Sequence, residues 1–118
     1  DVATEAGAAK AVAEATAAFG AVPDAVVNAA GAILLAGITR TSEAQYRDCL
    51  AANLDTAFFT AKAYVAALQQ AQKDGGSGAG RLLMFSSVAA GIGVGNHAAI
   101  AMAKGAIEAL VRSLAADH

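Results

Sequence analysis

The sequence has 118 residues, of which 57% are hydrophobic and 15% charged, and its formal net charge at pH 7 is -2. This length allows one domain at most and is short for a complete dinucleotide-binding enzyme. The small net charge argues against nucleic acid or an anionic membrane as partner, and no apolar run reaches the roughly 18 residues that span a bilayer.

Cys49 is the single cysteine, so an intramolecular disulfide is impossible, and we expect this residue to be packed within a helix. A reducing, cytoplasmic location fits this cysteine content. The chain begins with Asp1 rather than Met, which leads us to expect a piece of a longer protein.

The first third of the chain predicts a helix and then a strand. Residues 3–19 are rich in Ala, Glu and Lys and predict a helix, which Gly20 would end. Residues 25–28 predict a short buried strand, and the small residues 29–31 an elbow. Residues 32–40 read as an apolar loop.

A long helical region follows. Ser42 and Gln45 form a capping-box pattern that predicts a helix start. The helical region runs from about 43 to 72, and we expect two pieces with a break near Asn53. Residues 74–80 predict a glycine-rich surface turn.

The last third predicts a second strand and a final helix. Residues 81–85 predict this strand, because the apolar run that follows Arg81 is typical of a strand in a parallel sheet that is covered on both faces. Residues 87–97 predict a glycine-punctuated loop, and 98–116 a helix. This helix carries a polar stripe at four-residue intervals, namely Lys104, Glu108 and Arg112.

Helix, strand, helix, strand, helix is the order of an α/β fold with a doubly wound parallel sheet. Two strands do not complete such a sheet, so we expect the other strands outside this sequence. Ligands of open parallel sheets bind beyond the carboxyl ends of the strands. Two segments lie there, 28–31 and 86–87, although the small residues of the first also suit tight packing between a strand and a loop.

The segment that begins with Ser86 and Ser87 carries a family resemblance. Ile100 follows Ser87 by thirteen residues, and Lys104 lies four residues further on. This spacing resembles the active site of the short-chain dehydrogenase/reductase family, a serine followed by Tyr-x-x-x-Lys. Ile100 stands where that family has its tyrosine.

Three further segments resemble the same family in the same order. Residues 28–31, Asn-Ala-Ala-Gly, resemble its Asn-Asn-Ala-Gly element, which stabilises the central sheet and lines the cofactor cleft. Asn53 resembles the helix-breaking asparagine of its catalytic tetrad. Asp1 and Val2 resemble the Asp-Val pair at the end of its third strand.

The resemblance implies a Rossmann-like fold, with residues 1–118 as the central part of a single dinucleotide-binding domain. It implies NAD or NADP as cofactor, a small carbonyl or alcohol substrate, and no metal. The implied catalytic residues are Asn53, Ser87 and Lys104. The implied cofactor-binding residues are Asp1, Val2, Asn28, Ala29, Ala30, Gly31 and Lys104. The family's glycine-rich phosphate turn and its Pro-Gly segment would lie outside this sequence.

The replacement of tyrosine by Ile100 leaves several alternatives open. The protein is an oxidoreductase with an altered catalytic centre, a non-catalytic member that keeps nucleotide binding or only the fold, or a bare folding fragment. His97 is a substitute proton donor or an exposed loop residue, and Lys104 binds ribose or belongs to a solvated stripe. Ser87 binds substrate or caps local backbone. The resemblance also implies a homo-oligomer through helices 54–72 and 98–116.

Overall fold

The computed structural model describes all 118 residues and has an α/β architecture. Its elements in chain order are α1 (Glu5–Phe19), β1 (Ala25–Asn28), a 3-10 turn (Ile38–Arg40), α2 (Glu43–Leu50), a π-helical turn (Ala51–Asp55), α3 (Thr56–Lys73), β2 (Arg81–Met84), α4 (Val88–Ile92) and α5 (Ala98–Asp117). None of these helices combines the length and the apolar character needed to cross a membrane.

The two strands are parallel neighbours, with Val27 opposite Leu83 in the register. Helices α2 and α3 form the connection between them, because parallel strands cannot be joined by a tight turn. The predicted strand and helix order is therefore confirmed, and the chain has a partial Rossmann-like fold.

One face of the sheet is left uncovered. Val27 and Leu83 point to this face and are 56% and 55% exposed, whereas Asn28 on the opposite face is buried against α3. The radius of gyration of 15.7 Å exceeds the roughly 13.5 Å of a compact domain of this length. The molecule is an open slab that has helices on one side of its sheet.

Helix α1 is bounded by two residues with clear local roles. The Thr4 side chain accepts a hydrogen bond from the backbone of Gly7, so the helix begins at Glu5 rather than at residue 3. Gly20 ends it in the left-handed conformation, with φ of 74°, as the sequence predicts. An ion pair of 2.6 Å between Glu5 and Lys62 joins the start of α1 to α3.

The long helical region is continuous, and the predicted break near Asn53 is wrong. Ser42 and Gln45 form the predicted capping box at the start of α2. At residues 51–55 the helix widens instead of breaking, because the backbone N–H of Thr56 donates to the carbonyl of Ala51 five residues earlier. One extra residue is thereby accommodated in the helix at Asn53.

The predicted loop 87–97 contains the short helix α4, so that prediction is wrong for residues 88–92. Ser87 caps this helix by accepting from the backbone N–H of Ala89 at 3.2 Å. Gly93 ends it at φ of 73°. Glycines within and after α4 lower the intrinsic helix propensity of the segment, which concealed it in the sequence. Strand β2 ends at Met84, one residue before the predicted strand end at Phe85.

Candidate functional site

The carboxyl end of β1 is anchored by Asn28. Its side-chain Nδ2 donates to the carbonyl of Thr56 at 2.8 Å and to the hydroxyl of Thr60 at 3.0 Å. All three residues are buried. Both amide protons of Asn28 are used in these bonds, so its side chain fastens β1 to α3.

Ala29 and Ala30 line an apolar cleft of about 240 Å³ between α1 and β1, and Val2 lies on the same cleft. Two of the family-like segments are therefore neighbours in space. Asp1 is exposed, and its carboxylate accepts from the backbone N–H of Ala3 at 2.9 Å in the turn ahead of α1. No third strand forms at residues 1–2.

Gly31 lies between two polar side chains from distant parts of the chain. A Cβ atom placed on Gly31 would lie 2.9 Å from Asn53 Oδ1 and 3.5 Å from Lys104 Nζ. The fold thus brings together three of the predicted site residues beyond the carboxyl end of β1. The missing side chain of glycine leaves the space that these two polar atoms border.

Asn53 is almost completely buried, with 1% of its surface exposed. Its Nδ2 donates to the carbonyl of Ala32 at 2.8 Å and to the carbonyl of Cys49 at 3.0 Å. These two bonds fix the amide, so that Oδ1 is directed towards Gly31 as a free acceptor. The widened helical turn and the loop after β1 are joined by this one side chain.

Lys104 comes from α5 and reaches the carboxyl end of β2. Its Nζ donates to the carbonyl of Phe85 at 3.0 Å. Two of its three ammonium N–H groups remain for other acceptors. Burial lowers the pKa of Lys104 below its ordinary value of 10.5, and the nearby Cys49 side chain partly opposes this shift. Lys104 is half-buried, and its ammonium lies beside Gly31.

Ile100, which stands where the resemblance leads us to expect a tyrosine, is 8% exposed. It packs with Cys49 and Ala99, and Leu34 and Tyr46 lie against this cluster. The position thus contributes hydrocarbon and no ionisable group. Burial raises the pKa of the Cys49 thiol above 9.0, while the hydrogen bond from Asn53 and the charge of Lys104 act in the opposite direction.

Ser87 and His97 lie at the two ends of the segment that contains α4, just before α4 and just before α5. The Ser87 oxygen accepts a bond from backbone, so its local capping role is observed, yet its own proton has no protein acceptor. His97 is half-buried at the start of α5, and its Nδ1 donates to the carbonyl of Gly95 at 2.6 Å. This bond leaves Nε2 as the nitrogen without a proton in the neutral ring.

Two polar contacts near the site were not expected from the sequence. The Ser86 hydroxyl donates to the Glu108 carboxylate at 2.6 Å, and Arg40 donates to the side-chain oxygen of Asn96 at 3.2 Å. Glu108 was assigned to the exposed stripe of α5 because four-residue spacing gives a helix face without saying what that face meets. The available sequence signal for the contact with Glu108 was the pair Ser86 and Ser87. Two consecutive hydroxyls at a strand end can form hydrogen bonds in two different directions.

The chain matches one protein-family model and several solved structures along most or all of its length. A family model described as enoyl-(acyl carrier protein) reductase matches residues 1–118. A short-chain dehydrogenase from Mycobacterium avium is 30% identical, with a TM-score of 0.87, over 92% of this chain and 38% of its own. A short-chain dehydrogenase from Streptomyces avermitilis is 25% identical, with a TM-score of 0.82, over 99% of this chain and 41% of its own.

A xylitol dehydrogenase solved with bound NAD+ is 28% identical, with a TM-score of 0.85, over 99% of this chain and 43% of its own. A search of curated proteins gave no match. The chain spans about two fifths of the length of the similar structures. The match along all 118 residues and the shared fold show that the chain belongs to the short-chain dehydrogenase/reductase family.

Proposed function

We propose that the whole protein is an NAD(P)-dependent oxidoreductase that interconverts a small carbonyl compound and its alcohol. The observation that carries this proposal is the meeting of Asn53 Oδ1 and Lys104 Nζ at Gly31, beyond the carboxyl end of β1. Ligands of open parallel sheets bind at such strand ends. Residues 1–118 are then the central part of a single dinucleotide-binding domain.

The residues at this point fit a nicotinamide nucleotide. Gly31 lets a flat ligand approach the backbone, and Lys104 retains two N–H donors, which suit the two hydroxyls of a ribose. The apolar cleft beside Ala29 and Ala30 suits the adenine half, with Val2 along its wall and Asp1 at its rim. A bound nicotinamide would donate or accept the hydride.

The remaining site residues act on the substrate oxygen and its proton. In this proposal Ser87 donates its free hydroxyl proton to the substrate oxygen, and Asn53 Oδ1 accepts from a water next to Lys104. Ile100 cannot exchange a proton, so water must supply it. A positioned general acid or base speeds catalysis by about 10²- to 10⁴-fold. Turnover is therefore expected to be slower, by a factor in that range, than with a tyrosine at position 100.

Replacement of Ile100 tests this proposal. Ile100→Tyr should raise carbonyl reduction by about 10²- to 10⁴-fold. Ile100→Phe is the matched control, since it adds the ring without the hydroxyl and should give no gain. The measurement is NADH and NADPH oxidation with a panel of aldehydes and ketones, beside direct binding of each dinucleotide. Failure of both dinucleotides to bind the parent protein would refute the proposal.

A second candidate function is a non-catalytic nucleotide-binding subunit. The observation that favours it is the burial of Ile100 in a cluster with Cys49 and Ala99, which places no acid at the tyrosine position. Dinucleotide binding by the parent protein without turnover of any carbonyl compound would support this function over the first.

We also propose that the protein forms a homo-oligomer through the helices at 54–72 and 98–116. A groove between α3 and α5 is lined by Phe58 and Leu110, and Phe58 is 48% exposed. An exposed apolar helix face of this kind is typical of a subunit interface. Phe58→Glu should lower the molar mass measured by sedimentation equilibrium. Phe19→Glu is the control, because Phe19 lies on α1 and is already 74% exposed.

A further inference from the structure

Helix α5 is held to the end of β2 by three polar contacts. Ser86 Oγ lies 2.6 Å from Glu108 Oε1 and 3.2 Å from the carbonyl of Lys104, and Lys104 Nζ lies 3.0 Å from the carbonyl of Phe85. The contacts join two consecutive residues after β2 to a single turn of α5. They connect the strand end and the helix beside the proposed site.

The contact between Ser86 and Glu108 is the shortest of the three. A hydroxyl has one proton, and an O–H···O⁻ distance of 2.5–2.7 Å is that of a charge-assisted bond. The Ser86 hydroxyl therefore points mainly at the carboxylate, and the Lys104 carbonyl at 3.2 Å is its weaker second acceptor. Glu108 lies one helical turn after Lys104, so the three contacts together restrict both the rotation of this turn of α5 and its position along the helix axis.

This fixation bears directly on two proposed site residues. We call these three contacts the clamp. Lys104 lies on the turn of α5 that the clamp holds, and the direction of its two free N–H groups depends on where that turn lies. Ser87 follows Ser86 in the chain, so the clamp also sets the backbone from which the Ser87 hydroxyl projects. A shift of the clamp would move both groups relative to Gly31.

We propose that Glu108, acting through Ser86, is a positioning residue that holds Lys104 and Ser87 in place for dinucleotide and substrate. This proposal rests on the proposed function for its consequence in binding, and on the observed contacts for the clamp itself. Glu108 touches neither ligand, so its effect passes through the two residues that it places.

The test uses binding of NADH and NADPH to the whole protein. Glu108→Ala should weaken binding of the preferred dinucleotide by about tenfold, within the range of coupled neighbouring residues. Glu108→Gln keeps the packing and a neutral acceptor and should lose less. Arg112→Ala is the control, since Arg112 is exposed one turn further along the same stripe and should leave binding unchanged.

A double-mutant cycle separates positioning from general damage. In a Lys104→Met background, Glu108→Ala should weaken dinucleotide binding no further, because Lys104 is the one of its two positioned residues that holds the dinucleotide, whereas Ser87 meets the substrate. A further loss of the same size in that background would overturn the proposal. So would unchanged binding by Glu108→Ala in the parent protein.

Amide hydrogen exchange gives a readout that needs no ligand. Glu108→Ala and Ser86→Ala should each speed exchange at the helical amides of residues 104–108 by about tenfold while leaving α1 unchanged, because opening of that turn no longer has to break the contacts with Ser86. If the parent protein binds neither dinucleotide, the proposed function fails and this measurement decides the clamp alone. Unchanged protection of the amides at 104–108 in both variants would overturn it.

Discussion

Removal of the Asn28 side chain should destabilise the protein by about 2 kcal/mol. Asn28→Ala deletes two hydrogen bonds between buried partners, to the carbonyl of Thr56 at 2.8 Å and to the hydroxyl of Thr60 at 3.0 Å. Each such bond contributes about 0.5–1.5 kcal/mol, and a buried group left without a partner costs about 1–3 kcal/mol. The Thr60 hydroxyl can turn to the carbonyl four residues earlier, which reduces the loss.

The measurement is the free energy of unfolding in urea, with an unchanged dependence on denaturant. Asn28→Asp is the shape-matched control, because its carboxylate can only accept while it faces two oxygens. Its folded pKa should be raised, so the stability of this variant should be highest in acid and fall as the pH rises through that pKa. A loss below about 0.5 kcal/mol in Asn28→Ala would refute the anchoring role, since that is the scale of ordinary surface changes.

Three further predictions concern a close contact at Gly31, the charge of Lys104 and a hydrogen bond of Tyr64. Gly31→Ala should destabilise the protein by about 1–3 kcal/mol and weaken dinucleotide binding, because its Cβ would lie 2.9 Å from the pinned Asn53 Oδ1. Gly91→Ala is its control, because a Cβ there meets nothing within 4 Å and should be neutral or stabilising in urea unfolding. The pKa of Lys104 is lowered from 10.5, so the unfolded chain binds more protons between the two values and stability should rise with pH across that window. Urea unfolding at several pH values should show this rise in the parent protein and not in Lys104→Met; equal slopes would contradict it. Tyr64→Phe should lower the unfolding free energy by about 1 kcal/mol through loss of a 2.7 Å bond to a backbone carbonyl ahead of β1, and an unchanged value would rule out that contribution.

The sequence predicts those parts of the fold that depend on neighbouring residues. Strand 25–28 has the predicted bounds, and Gly20 and the capping box of Ser42 and Gln45 act as predicted. Each signal is local, since a turn, a cap or an apolar run is set by a few consecutive side chains. The spacing of Ser87, Ile100 and Lys104 likewise indicated the family, because it can be read from one short stretch of sequence.

What the sequence did not predict depends on contacts between distant segments. The widened turn at Asn53 is stabilised by the carbonyl of Ala32, 21 residues earlier. Glu108 takes its role from Ser86, 22 residues away, and a helical stripe alone cannot reveal such a partner. Helix α4 was missed because the Ser87 cap outweighs the poor propensity of its glycines.

The widened turn at 51–55 also limits how the gene can vary. An added residue in a helix advances everything after it by about 100°. Here that offset lets α2 present Cys49 to α5 while α3 presents Thr56 and Thr60 to the strand. Deletion of any one residue from 51–55 would restore a regular α-helix and would turn one of those two helix faces towards solvent. Insertions and deletions should therefore be rarer here than in the glycine-rich turn at 74–80.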